Sequence, residues 1–228
     1  MSPFADDRLR LVFTEGYATS TRSLADEAIR LGRLLVELMP RSDDARALLA
    51  LMLLQRSRHD AREVDGERVT LEHQDRTRWD RAAIDEAFAL GPVPGAARGA
   101  YRVQAELAAV HAVARHADDT DWPAIVTLYD ELLTFTPSPV ISLNRAIAVG
   151  MSDGPLAGLV ALDAVAEDDR LVGHYLVPAA RGDLLARAGL LVEAVRALEL
   201  AARRAPTEPE RQQLARRVEE LGSLGSAS

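Results

Sequence analysis

The chain has 228 residues, of which 48% are hydrophobic and 4% aromatic, with no cysteine and a formal net charge of −8. So much Ala, Leu and Val with so few aromatics favours a core of close-packed helices over a β-sandwich. The missing cysteine excludes disulfides, thiolate metal ligands and thiol nucleophiles, and the acidic balance argues against nonspecific nucleic-acid binding, whose footprint is a basic face.

Every basic residue is arginine, because the sequence contains no lysine. That removes phosphate-loop, Schiff-base and kinase-type lysines together. The opening MSPFADDR has neither a basic n-region nor an apolar h-region, so no signal peptide is expected. The apolar run from Ala47 to Leu54 is far shorter than the roughly 20 residues that span a bilayer, and a cytoplasmic chain is the expectation.

Residues 1–5 read as a linker, and residues 6–15 as a short helix with Leu9, Val12 and Phe13 inward, broken by Glu15-Gly16-Tyr17. Ser23 opens a second helix with Asp26 three positions on. It carries Ala28, Ile29, Leu31, Leu34, Leu35 and Leu38 and stops at Pro40. Ser42 caps a third helix that buries ALLALMLL and fades through Arg56, Arg58 and His59. Periodicity is lost over residues 60–76, where Gly66 marks a turn and Val64 with Val69–Leu71 makes at most a short ribbon. Helix returns from Thr77 to Leu90, with Trp79, Ala83, Ile84 and Ala87 on one side. The segment GPVPGAARG, residues 91–99, is expected to hinge an N-terminal lobe of residues 6–90 to a C-terminal lobe of residues 100–221, the latter beginning with a helix over residues 100–116.

A helical hairpin follows from Thr120 to Val149. Asp121 offers a cap and Pro123 sits in the first turn, while Ile125, Leu128, Leu132 and Leu133 form one apolar stripe. Pro137 and Pro139 end that helix; Ser138 caps the next, whose stripe is Val140, Leu143 and Ile147. Further helices are predicted from Gly154-Pro155 to about Ala166, over residues 171–188, ended by Gly189, and over residues 191–204. Thr207 to Glu210 reads as a capping box launching a last helix to Leu221, and residues 222–228 as a disordered tail.

An internal repeat runs through this pattern. Pro137 and Pro206 are 69 residues apart, close to twice the tetratricopeptide (TPR) period of about 34. Gly182 and Leu185, the turn at Gly189, then Ala194, Leu198, Ala201 and Pro206 follow the small–large alternation of such a repeat, and Ala28 to Pro40 has the same offset as Ala194 to Pro206. The predicted fold is all-α, with TPR-like antiparallel hairpins stacked into a superhelix and an irregular insertion near residues 60–76; a generic helical bundle is the alternative.

The densest polar cluster is LEHQDRTRWD, Leu71 to Asp80. Glu72, Asp75, Asp80, Arg76 and Arg78 form either an acid–base or ion-binding site, or a salt-bridged loop and helix start with Asp75 as cap and Trp79 as core anchor. Asp118, Asp119 and Asp121 open like a calcium loop, but lack its glycine and closing glutamate and read as caps. No histidine stands in a metal-ligand spacing, so neither metal nor other cofactor is expected. His111 shares a helix with Gln104 and is a candidate for a concave surface, with a satisfied or solvent-facing histidine as the favoured alternative. Asn144 and Arg145 lie on the first helix of a repeat, where solenoids present groove residues. With no phosphate loop or nucleophile elbow, the chain is not expected to be an enzyme.

The segments YATSTRSLADEAIRLGRLLVELMP, LLALMLLQRSRHDAR, LEHQDRTRWDRAAI, YRVQAELAAVHA, DTDWPAIVTLYDELLTFTPSPVISLNRAIAV and DGPLAGLVALDAV occur in that order. They resemble the C-terminal, TPR-like extension of bacterial RNA polymerase sigma factors of the extracytoplasmic-function type, over about Arg8 to Leu221. The resemblance implies a regulatory protein-interaction domain that controls transcription initiation through contacts with the sigma domains, core RNA polymerase or a small YCII-like (DGPF-motif) protein. DNA would be contacted only through upstream sigma domains that this sequence lacks. Matching the family's motifs, Asp75, Arg76, Trp79, Asp80, Asp121, Trp122, Asn144 and Arg145 are the implied functional positions, with His111 added from the residue reading. A free-standing TPR scaffold, or a ligand-binding helical protein unrelated to transcription, is the alternative.

Overall fold

The computed structural model describes residues 22–64 and 67–225, which leaves the linker, the helix expected at 6–15, Gly66 and residues 226–228 outside the described residues. Ten α-helices and one two-stranded ribbon make up what is described, and two compact units divide after Asp121.

The first unit holds α1 (Arg22–Leu38), α2 (Asp43–Ser57), β1 (Glu63–Val64), β2 (Glu67–Arg68), α3 (Arg81–Ala89) and α4 (Ala100–Val113). At its centre is α2, which packs against α1, α3 and α4. The cause lies in the run from Ala47 to Leu54, which has no polar face and is buried at every position; a helix apolar all round needs neighbours on every side. Ser42 starts it, its hydroxyl accepting from the Ala45 N–H at 3.2 Å. The ribbon is antiparallel and pairs Glu63 with Arg68 and Val64 with Glu67.

Two helix ends differ from the sequence expectation. α3 begins at Arg81 rather than Thr77, because the Asp80 carboxylate accepts from the Ala83 N–H at 3.1 Å while the Asp80 N–H is turned to the Ser57 carbonyl at 2.9 Å. Residues 76–78 form a separate 3₁₀ turn that drops Trp79 into the core. α4 stops at Val113 rather than 116, and Ala114 leaves the helix with an extended backbone.

Residues 91–99 lie within the first unit and are tied to α2. The Val93 N–H donates to Asp43 at 2.8 Å and Arg46 Nε to the Gly91 carbonyl at 3.2 Å. Asp43 also takes Arg102 of α4 at 2.9 Å and 3.1 Å, in an ion pair whose two side chains are each 6% exposed.

The second unit is a run of helices, α5 (Trp122–Phe135), α6 (Pro139–Ser152), α7 (Pro155–Ala166), α8 (Leu176–Arg187), α9 (Leu191–Arg204) and α10 (Glu208–Gly225). Each packs on the next in sequence, and α6 also meets α8. Pro139 occupies the first turn of α6 as expected, but Ser138 makes no side-chain cap bond. Glu210 turns its carboxylate to the Tyr175 hydroxyl at 2.7 Å and the Thr207 hydroxyl at 2.9 Å. α10 runs to Gly225, four residues past the predicted end at Leu221, and Leu221 is buried with Ala194 and Leu198 of α9.

Glycine sets the closest crossings. A Cβ on Gly158 would stand 2.6 Å from the Gly150 Cα, and one on Gly182 would stand 2.5 Å from Leu198 Cγ. Gly158→Val is therefore expected to destabilise the chain by about 2 kcal/mol through overpacking, read as a lower urea midpoint at unchanged slope. Gly189 closes α8 with φ +78, and the Leu190 N–H reaches back to the Leu185 carbonyl at 2.9 Å.

Candidate functional site

The expected site residues fall in different places. Asp75, Arg76, Trp79, Asp80, His111 and Asp121 belong to the first unit; Trp122, Asn144 and Arg145 belong to the second.

In the first unit, Arg76 is the centre. Its Nη1 donates to the His111 carbonyl at 2.6 Å and the Ala114 carbonyl at 2.8 Å, and Nη2 donates to the Thr120 hydroxyl at 3.4 Å. The arginine thereby takes up carbonyls that the end of α4 leaves without intrahelical partners. Its guanidinium carbon lies 5.0 Å from the centre of the Trp79 ring, and that of Arg58 lies 5.9 Å from the same ring. Trp79 is 4% exposed. Burial, followed by the charge of Arg58, presses Arg76 below its ordinary pKa.

His111 stands beside this pair of cations. Burial first, then Arg58 and Arg76, push its imidazole down to a pKa of about 4, so it is neutral at pH 7. Its unfolded value is near 6.5, so between about pH 4 and 6.5 the unfolded chain binds the proton that the fold refuses. Stability is therefore expected to fall as the solution is acidified through that window, by roughly 2 to 3 kcal/mol in all. His111→Gln should flatten this part of a pH–denaturation series.

The neighbouring acids do local work. Asp75 accepts from the Thr77 hydroxyl at 2.6 Å and the Thr77 N–H at 2.9 Å, and these bonds hold its carboxyl below the usual range. Asp80 caps α3 as described. Asp121 is exposed at the close of the first unit. The structure thus brings Arg76, Trp79 and His111 together, while Asp75 and Asp80 serve as caps. Among the described residues no group of three or more His, Asp or Glu is placed to hold a metal ion.

In the second unit, Trp122 is half-buried at the start of α5. Arg145 of α6 is engaged with Asp130 of α5, at 2.5 Å and 3.1 Å, rather than held open for a partner. The pairing places Arg145 above its ordinary pKa through the Asp130 hydrogen bonds. Asn144, next to it, is half-buried.

Sequence reasoning missed Arg58 as a member of the Trp79 cluster. Arg58 read only as the polar end of a helix.

Residues 6–91 match a family of unknown function, DUF6596. Over 202 residues the chain is 43% identical to an uncharacterized protein of Rhizobium meliloti (strain 1021), an alignment covering 84% of this chain and 47% of that relative. The chain spans about half the length of the curated relative it matches. No solved structure matches the chain. Among the described residues no helix is long and apolar enough to cross a membrane. The chain is thus similar, from residue 6 to the end of the 3₁₀ turn and α3 region, to a family whose description assigns it no activity.

Proposed function

We propose that the chain is a TPR-like protein-interaction module, and that it serves as the regulatory extension of an extracytoplasmic-function sigma factor. The observation that supports it best is the serial packing of α5 to α10, with α6 also touching α8, because helices that stack on their sequence neighbours build a solenoid. The glycine crossings agree. Gly182 lies against Ala194 and Leu198, the small-to-large contact that the repeat spacing predicts. In this reading α6, α8 and α10 are the first helices of successive repeats and line the concave face. Asn144 then faces the groove, while the Arg145–Asp130 pair fixes α6 against α5.

The Rhizobium meliloti relative contains a further half that the alignment does not reach, a length that leaves room in that protein for the sigma domains the resemblance implies. Partners in this reading are those sigma domains, core RNA polymerase or a YCII-like protein. The site performs recognition rather than bond chemistry, within a bacterial cytoplasm.

The test is direct binding of the purified chain to each of three named probes by biolayer interferometry: core RNA polymerase, the sigma domains of an extracytoplasmic-function sigma factor, and a YCII-like protein. Saturable binding of one of them, weakened at least ten-fold by Asn144→Ala and unchanged by Val160→Ser at an exposed position of α7, supports the reading. Binding by none of the three overturns the sigma-factor assignment.

A further inference from the structure

Helix α1 carries more apolar surface than its neighbour covers. It packs chiefly on α2, through Ala25, Ala28, Ile29 and Gly32, with Leu35 and Val36 partly buried at the edge of that face. Beside it runs a second row, Leu24, Leu31, Leu34 and Leu38, at 41%, 37%, 43% and 71% exposure. Leu24, Leu31 and Leu38 stand seven residues apart and so keep to one line along the helix, and Leu34 joins them at helical spacing. The two rows together make an apolar arc wider than the roughly 100° stripe that one packed neighbour takes.

The surroundings indicate what covers the second row. Glu27 binds Arg30 at 2.7 Å, Arg33 binds Glu86 of α3 at 2.7 Å and Asp26 binds Arg56 of α2 at 2.8 Å. With these charges engaged, what the row offers is leucine side chains, a surface that suits another apolar helix face. The chain supplies one directly ahead of it. Residues 6–15, outside the described residues, carry Leu9, Val12 and Phe13 at helical spacing. Residues 16–21 join them to α1, and six extended residues reach about 20 Å. Packed helix axes stand only roughly 8–10 Å apart, so the link is long enough for an antiparallel return. The family match begins at residue 6 rather than at α1, which places the segment in the same domain as α2 and α3. So short a tether also sets a millimolar effective concentration, which a second copy does not reach in dilute solution.

We infer that this row of α1 is the docking surface for the chain's own residues 6–15, which return antiparallel with Leu9, Val12 and Phe13 against Leu31 and Leu34. The row is thereby withheld from other proteins. The inference is independent of the sigma-factor reading.

The experiment uses the full chain with Glu37→Cys, an exposed position in a sequence without cysteine, so that a nitroxide label attaches at one place. In a ¹H–¹⁵N spectrum the amide signals of residues 6–15 are expected to lose most of their intensity, and to recover it when the label is reduced. Adding Leu31→Ser and Leu34→Ser should abolish that loss while the α4 signals stay in place. Phe13→Ser, which alters the segment instead of the helix, should do the same and decides the matter if the α1 variant does not fold. Signals of residues 6–15 that keep their intensity, or lose it equally in the serine variants, overturn the inference. So does loss at α1 in an unlabelled ¹⁵N chain mixed with nitroxide-labelled chain, which would make a second copy the occupant.

Discussion

Asp43→Ala is expected to cost about 4 kcal/mol of stability, because it strands the Arg102 guanidinium in the core of the first unit. The two side chains are each 6% exposed, and Arg102 donates to Asp43 through both Nε and Nη2. Burial alone would raise the pKa of Asp43. The hydrogen bonds from Arg102 and from the Val93 N–H outweigh it and hold the carboxyl below the usual carboxylate range. The carboxylate also fixes residues 91–99 to α2, so its loss frees a loop as well as a charge. Replacing both partners together, as Asp43→Leu with Arg102→Met, should cost far less than Asp43→Ala, since no buried charge is then left alone. Urea denaturation of the three proteins distinguishes the cases. Because the folded pKa of Asp43 is depressed, the pair's contribution is present above the unfolded carboxylate value and is lost as pH falls through the folded one.

Arg76→Ala is expected to be of similar size, about 4 kcal/mol, for a different reason. Two charge-assisted hydrogen bonds to the carbonyls of His111 and Ala114 disappear, each worth about 1.5 to 3 kcal/mol, and the contact with the Trp79 ring goes with them. Arg76→Lys should fall between wild type and alanine, because an ammonium lacks the second nitrogen that reaches the Thr120 hydroxyl and the flat face that lies over the indole. Removing the Arg76 charge also relieves His111, whose pKa should rise from about 4 toward 6.5. An NMR titration of the His111 ring in Arg76→Ala reads that rise directly, and a ring still titrating near pH 4 would show that burial and Arg58 set it without Arg76.

Much of the fold was legible because the helix boundaries are local chemistry. Ser42, Pro139, the Gly154–Pro155 pair and Gly189 each start or stop a helix where their side chains or backbone freedom require. The ALLALMLL run announced a helix buried on all sides, and α2 is one. The mistakes occurred where a distant partner decided the outcome. Asp80 reads as part of a continuous helix until Ser57 takes its N–H, and residues 114–116 read as helix until Arg76 takes the Ala114 carbonyl. Residues 91–99 look like a hinge because glycine and proline are frequent there; the buried carboxylate that holds them, Asp43, is some 50 positions away in sequence.

The candidate site was legible in part for the same reason. Trp79 as a core anchor and the Asp75 cap follow from local pattern, and both are present. The approach of Arg76 to His111 joins residues 35 positions apart, and no spacing rule connects them. Arg145 was a groove candidate from its repeat position, yet Asp130, on the preceding helix, occupies it. Which surface cations are taken by surface acids is a matter of side-chain geometry that a one-dimensional pattern does not carry.

The most direct measurement of the proposed role is the affinity of extracytoplasmic-function sigma domains for core RNA polymerase, with and without this chain at saturating concentration. The regulatory reading predicts at least a five-fold change in that affinity, reversed by Asn144→Ala in the chain. An affinity that is the same in the presence and absence of the folded chain would contradict it.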